Sequence, residues 1–398
     1  MKLFFYEARK TYIRKYIVIF LAILTLVDIF KITLDYKEGK IDALMAESAD
    51  NRRAVRTIYN NVRECSQKER AQYINKEEQR LGEIYQKQLN NKKKGEKTYS
   101  GNLYEDYRLL EMYIASQYHY INEYAQYSRD VEFLAQDNVT YFDKMNNASQ
   151  KKVNQYIIEK YKNRSINDYY RTDTAESFLN YNFSAVLILI LSLLAFSPVF
   201  GIEYESGMQD ILLTSKKRRK NLIMKLLGAV CFCLCIVTWF FVVDYLSFRF
   251  ICGMEGFSMP IWSIQEMKTS FLNCDVGYFI LIKYGTELLG FLTIMLILLY
   301  LSSILKKPVY IMLVFAPVVF GSYQLTGLLN SVSPFEKVAS VCNPISLLSA
   351  KNLYDKLYYI EWKDSFILLS DICIWANITI SIVLIIAIIF MQRRKCLK

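Results

Sequence analysis

Apolar residues along this chain are gathered into blocks. Runs of mostly apolar positions recur at Tyr16–Leu34, Phe183–Ile202, Lys225–Leu246, Tyr278–Leu305, Val309–Leu329 and Phe366–Met391. Each matches the roughly 20 residues that a helix rising about 1.5 Å per residue needs to cross a hydrocarbon core about 30 Å thick. The pattern predicts six transmembrane helices. Between the first two runs lies a polar stretch of about 145 residues, long enough to be a domain. The other connections are short, apart from Ser247–Gly277 and Asn330–Ser365.

Within the long insertion the periodicity changes. Val55, Ile58, Val62 and Cys65 recur at steps of three and four, as do Leu110, Ile114, Tyr118, Ile121 and Tyr124, with Val131 one step of seven further on. Each stripe gives one narrow apolar helix face. From Ile41 to Phe178 the only glycines are Gly82, Gly95 and Gly101, and proline is missing, a composition that favours long helices over a sheet. Asn90–Gly101, with Lys92, Lys93, Lys94 and Gly95, reads as the turn between two helical arms. The expectation is an all-α polytopic membrane protein in three parts: residues 1–35, an N-terminal interfacial helix and the first span; 36–180, a mainly helical extracytoplasmic domain; and 181–398, spans two to six. The inserted helices could form a hairpin packed on itself or on a second copy. Alternatively, their many tyrosines could offer an amphipathic surface to a secreted peptide or lipid.

Composition sharpens the orientation. The chain has 398 residues, is 53% hydrophobic and carries a net charge of +11. Its basic residues cluster at span ends: Lys2, Arg9, Lys10, Arg14 and Lys15; Lys216, Lys217, Arg218, Arg219, Lys220 and Lys225; Lys306 and Lys307; Arg393, Arg394, Lys395 and Lys398. With Glu7, Glu203, Glu205 and Asp210 deducted these flanks carry +13, more than the whole molecule, whereas Tyr36–Phe178 carries only +2. Cytoplasmic flanks hold the Lys/Arg excess. Six spans put all four flanks on one side, so a multi-pass protein of the cell membrane is expected, with both termini cytoplasmic and the insertion outside. The basic balance is an orientation signal and no nucleic-acid footprint, because it forms no stripe across a soluble domain. The first run has no small-residue cleavage pattern after it and ends with Asp28, Lys31 and Asp35, unlike a secretory signal.

Several chemistries lack their residues. His119 is the single histidine, so sites built from several imidazoles are excluded, and a Ser-His-Asp triad is disfavoured because His119 sits in a polar Tyr-rich stretch. Cys231, Cys233 and Cys235 alternate within an apolar run, and no C-x-x-C pair exists. Outside the spans, Cys65, Cys252, Cys274 and Cys342 could pair, Cys252 with Cys274 being the same-loop choice. A phosphate loop is missing too: Gly39-Lys40 is the only Gly-Lys step, and Leu34 stands where the first glycine belongs. No metal site, enzyme activity or cofactor on this chain is expected.

After the second run the sequence reads Phe200-Gly-Ile-Glu-Tyr-Glu-Ser-Gly-Met-Gln-Asp-Ile-Leu-Leu-Thr-Ser-Lys-Lys-Arg-Arg-Lys-Asn-Leu-Ile-Met-Lys225. Glu203 and Gly207 stand one helical turn apart, where a glycine permits close approach. Ile211, Leu212 and Leu213 suit a membrane surface, with Lys216–Lys220 turned to headgroups or a partner. In the order Glu203, Gly207, Leu212–Leu213, Thr214, Arg218 and Lys225, this connection resembles the cytoplasmic motif of ABC-2-type permeases. Phe4, Phe5, Ala8, Tyr12 and Ile13 share one helical side among Lys2, Arg9, Lys10 and Arg14, similar to the interfacial helix that opens such permeases, with Glu7 at the position of their early acid. Asn343-Pro344-Ile345-Ser346-Leu347-Leu348 resembles their Asn-Pro segment before the last span. The insertion resembles that of members with a large external domain between spans one and two.

The resemblance implies that Glu203, Gly207, Leu212, Thr214, Arg218, Lys225 and Glu7 couple the chain to separate ATPase subunits, which hold ATP and Mg. It also implies a second permease subunit, identical or different, and export of an amphiphilic peptide or lipid-like substrate through the lipid bilayer. Inside the spans, Lys283 and Glu287 stand four apart and can pair on one helix face, which makes them candidates for the translocation path. Asp28, Asp244 and Asp371 lie nearer span ends, where they could snorkel to the interface. From a different class, the chain could be a non-transporting membrane sensor or scaffold that binds a ligand through its external helices.

Overall fold

The computed structural model of this protein describes residues 12, 14–91, 103–205, 207, 218–305, 307–331 and 333–394. The interfacial helix expected before the first span lies outside them, apart from Tyr12 and Arg14, as does the turn expected at Asn90–Gly101, apart from Asn90 and Asn91, which are still helical.

Among the described residues, six helical segments are long and apolar enough to cross a membrane: Lys15–Lys37, Asp173–Glu205, Lys220–Phe250, Val276–Leu305, Pro308–Asn330 and Leu369–Gln392. Apolar side chains such as Leu26, Phe30, Leu313, Phe320 and Ile386 cover the outside of this bundle. In water such a surface would be a large aggregation patch; against lipid tails it is the required solvent match. The protein is a multi-pass membrane protein.

The first span is α1 (Lys15–Lys37). Its Thr25 and Thr33 hydroxyls donate to the Leu21 and Ile29 carbonyls one turn back at 2.8 Å, so neither is left without a partner in hydrocarbon. The insertion follows as α2 (Ala49–Glu64), α3 (Gln67–Asn91), α4 (Leu103–Leu110), a π-helical turn, α5 (Ser116–Lys144) and α6 (Ala148–Tyr161). The Ser48 hydroxyl caps α2 by accepting from Asn51 N, and Asn147 Oδ1 caps α6 by accepting from Gln150 N. The predicted stripes face inward: Val55, Ile58, Val62, Leu110, Ile114, Ile121 and Tyr124 share one core with Leu81, Ile84 and Tyr169. His119 is exposed beside Tyr118.

This domain is more than a hairpin closed on itself, because it docks on the two longer connections that come later in the chain. Arg164 donates to Ser270 O at 2.8 Å and Asn273 Oδ1 at 2.6 Å, its guanidinium lying over the Tyr161 and Trp262 rings. Tyr59 OH donates to Glu255 Oε1 at 2.6 Å and Tyr120 OH to Trp262 O at 2.7 Å. Burial pushes the Tyr124 phenol up to about 12. On the other flank Ser149 Oγ donates to Ser365 O in an antiparallel hairpin, β1 (Tyr359–Trp362) and β2 (Ser365–Leu368), which the helix-only expectation did not include. Lys363, at φ 53°, turns the chain between these strands. The cysteines among the described residues are free thiols, Cys252 and Cys274 included; burial raises Cys252 to about 12 and Cys274 to about 11.

The second span is interrupted twice. It runs as α7 (Asp173–Asn180), α8 (Phe183–Phe196) and α9 (Gly201–Glu205). Backbone freed at a break must find partners inside a membrane. Ser302 Oγ, from the fourth span, donates to Ser197 O at 2.7 Å and accepts from Phe200 N at 3.1 Å; Lys283 Nζ donates to Tyr181 O at 3.2 Å at the other break. The third and fourth spans are α10 (Arg218–Phe250) and α11 (Val276–Leu305), and the fifth, α12 (Pro308–Thr326), opens on a proline whose missing N–H is no loss at that position.

After α12 come α13 (Pro334–Val341), the Asn343–Leu348 segment, α14 (Ala350–Tyr354), the hairpin and the last span, α15 (Leu369–Arg394). The Asn343–Leu348 segment, expected in an external connection, folds back into the bundle. Its 3-10 turn, Pro344–Leu348, is buried and packs against Gly290, about 20 Å along α11 from Val276. A Cβ at Gly290 would stand 2.9 Å from Pro344 O. Asn343 Oδ1 accepts from Ser346 N and its Nδ2 donates to Ser340 O, so this irregular backbone caps itself inside the bundle.

Candidate functional site

Two polar clusters are built into the apolar bundle. The first lies at the end away from the inserted domain. Lys225, in the second turn of α10, is buried, and its ammonium meets Glu203 of α9 at 2.5 Å. Five residues of helix precede Lys225 within the span, so it faces the bundle instead of the headgroups. Its Nζ stands 5.0 Å from the Phe200 ring centroid, and its carbonyl accepts from Tyr12 OH at 3.1 Å. Tyr12 stacks on Phe232 and leans on Phe196. Three separate stretches, before span one, at the end of span two and at the start of span three, thus converge on one lysine.

Gly207 does not share the helical face with Glu203 that their spacing suggested. It lies past the end of α9, exposed, with φ +67°, and a Cβ there would meet nothing within 4 Å of this chain. Its glycine serves the left-handed turn that ends the helix, so it shares no helical face with Glu203. Arg218 begins α10, with its side chain outside the described residues; Leu212, Thr214 and Glu7 also lie outside them.

The second cluster sits toward the inserted domain. Lys283 and Glu287 pair at 2.5 Å on α11, and the same ammonium holds the Tyr181 carbonyl at the α7–α8 break. Tyr181 OH donates to Asp28 Oδ1 at 2.6 Å. Asp28 meets Asp244 of α10, which also meets Ser184. Neither aspartate snorkels: Asp28 is 0% and Asp244 6% exposed. Asp371 does reach the surface, in an open groove with Cys342, Trp375 and Thr379. Sequence spacing joined Lys283 to Glu287 because they are one turn apart. It could not join them to Asp28, Tyr181 and Asp244, which arrive from three other segments; the only signal was an acid inside an apolar run.

No group of three or more metal-ligating side chains is arranged to hold an ion among the described residues. No protein-family model, curated protein or solved structure matches this chain.

Proposed function

We propose that this chain is the permease subunit of an ATP-binding-cassette exporter, moving an amphiphilic peptide or lipid-like substrate with ATP hydrolysed by separate subunits. The observation that carries the reading is the convergence on Lys225. The motif that resembles the coupling segment of ABC-2-type permeases begins at Glu203 and ends at Lys225, and these two residues form a buried ion pair. A force applied to the connection between them reaches α9 and α10 together, because the pair clamps the two ends of that connection. The break at Ser197–Phe200 lets α9 swing relative to α8, and the Tyr12 bond carries the displacement toward span one. Orientation follows from the basic flanks, with both termini in the cytoplasm of the cell and the inserted domain outside. A second permease subunit would cover part of the exposed apolar surface of the bundle.

The test is co-purification followed by transport. Tagged chain extracted in mild detergent should retain a phosphate-loop ATPase, and proteoliposomes holding both should release a labelled amphiphilic peptide only with ATP and Mg. Failure to retain any ATPase, with the inserted domain binding a ligand on its own account, would favour the sensor or scaffold reading. That reading draws on the extensive docking of the domain on the loops between spans three and four and between spans five and six.

A further inference from the structure

Asp28 and Asp244 meet inside the bundle with too few protons to satisfy their oxygens. Asp28 Oδ1 accepts from Tyr181 OH and Asp244 has the Ser184 hydroxyl beside it, yet no donor reaches Asp28 Oδ2 or Asp244 Oδ1, and both atoms are buried. The single ammonium of the cluster, Lys283, is already engaged by Glu287 and by the Tyr181 carbonyl. Of the other charged groups nearby, Glu287 acts on Asp244, and Asp35, held by Lys31 on α1, acts on Tyr181. One lysine therefore serves three buried carboxyls. Two adjoining buried anions without a counter-ion are not sustained in such surroundings; a carboxylic acid donating to a carboxylate is.

We propose that Asp28 and Asp244 form a proton-binding site in which one proton is shared between the two carboxyls and clamps span one to span three. The proton bonds covalently to one carboxyl oxygen and is donated to the other, so the pair carries a single negative charge. Separating α1 from α10 admits water. The shared hydrogen bond breaks, the acid gives its proton to that water as hydronium, and both carboxylates are left hydrated and ionised. Protonation thus favours the closed contact between the two spans, and proton release accompanies its opening. The site is independent of what the chain transports, and holds equally for an exporter or a scaffold.

The experiment uses the full chain in nanodiscs. Its infrared spectrum at neutral pH should contain the carbonyl band of a buried carboxylic acid that shifts on exchange into deuterated water. Asp28→Asn and Asp244→Asn should each abolish that band, because the amide supplies the missing N–H donor. Each amide variant should keep the thermal midpoint of the parent at neutral pH and lose the parent's fall in midpoint on alkalinisation. Tyr181→Phe, which removes only the donor to Asp28 Oδ1, should keep the band and shift its frequency. A parent spectrum without the band, or a band unchanged in both Asn variants, overturns the proposal. So does a midpoint that rises when sodium replaces choline at fixed pH and does so only with both aspartates present, since the occupant would then be a metal cation.

Discussion

Removing the ammonium from the Glu203–Lys225 pair gives the most direct reading of how the bundle end is held. In Lys225→Met the side-chain volume is nearly kept and the contact with Phe200 survives, so the loss is electrostatic. The two side chains are 7% and 14% exposed, so the Lys225 ammonium is taken from Glu203 where little water can replace it. Breaking a buried pair from one side costs about 3–5 kcal/mol, a hundred- to several-thousand-fold in the folded-to-unfolded ratio. Lys151–Asp143, on the inserted domain, supplies the contrast: those side chains are 36% and 64% exposed, and such a pair is worth about 0–1 kcal/mol. Reversible denaturation in mixed micelles should therefore rank Lys225→Met far below Lys151→Met. The double variant Glu203→Gln/Lys225→Met should recover part of the loss, because neither member of the pair is then buried as a charge without the other. Equal cost for the two lysines, or no recovery in the double variant, would refute the claim that this pair is a buried, mutually dependent unit.

Gly290→Ala should destabilise by about 1–3 kcal/mol in the same assay, since its Cβ would press on Pro344 O and on the Leu347 and Leu348 side chains. Gly285→Ala, five residues earlier with nothing within 4 Å, should gain up to about 1 kcal/mol; the reverse order would contradict the packing of the Asn343–Leu348 segment. Arg164→Ala should accelerate amide exchange through residues 260–275 while leaving the spans unchanged, and Arg164→Lys should rescue it only in part, because an ammonium cannot fork to Ser270 and Asn273. The Tyr124 phenol stays neutral to about 12 in the fold, against about 10 in an unfolded chain, so the folded state holds its proton longer. The domain should be stable below about pH 10 and lose stability as pH rises from there toward 12, a loss that Tyr124→Phe reduces; unfolding insensitive to that substitution would count against a buried phenol. Within the proposed function, Glu287→Gln should impair export while insertion and ATPase binding stay intact, and transport at the parent rate would remove the pair from the path.

Much of the architecture was legible because lipid imposes it. A span must be apolar over a fixed length, so the run Tyr16–Leu34 becomes the helix Lys15–Lys37 and Val309–Leu329 becomes Pro308–Asn330, with only the ends displaced. The third span begins five residues ahead of the apolar run. They open on the polar Lys220 and Asn221, which continue the basic run before them, and only Leu222, Ile223 and Met224 are apolar, too few to mark the start of the helix. The breaks in span two are legible only in part: Pro198 signals a helix stop, whereas Tyr181-Asn182 lies beside hydrophobic sequence, and what stabilises the two breaks, Ser302 and Lys283, is about a hundred residues away. The same distance hid the company of Asp28. Its position near a span end suggested snorkelling, whereas Tyr181 and Asp244 give it a buried partner on either side. The Asn343–Leu348 turn is apolar for only a few residues, too short for any hydropathy window, yet it lies beside the middle of α11.

The docking of the inserted domain has a consequence for biogenesis. Residues 36–180 leave the ribosome after one span, but the surfaces they rest on, around Ser270 and around Ser365, are made roughly a hundred and two hundred residues later. The domain must therefore fold and wait with Arg164 and Ser149 facing solvent until those surfaces arrive. Its contacts with them act as a completion check, drawing together the ends, on the domain's side, of spans that were inserted separately. A chain truncated after the fourth span would carry a folded domain with half its seat, and would present the face of α6 to whatever quality-control factors survey the membrane surface.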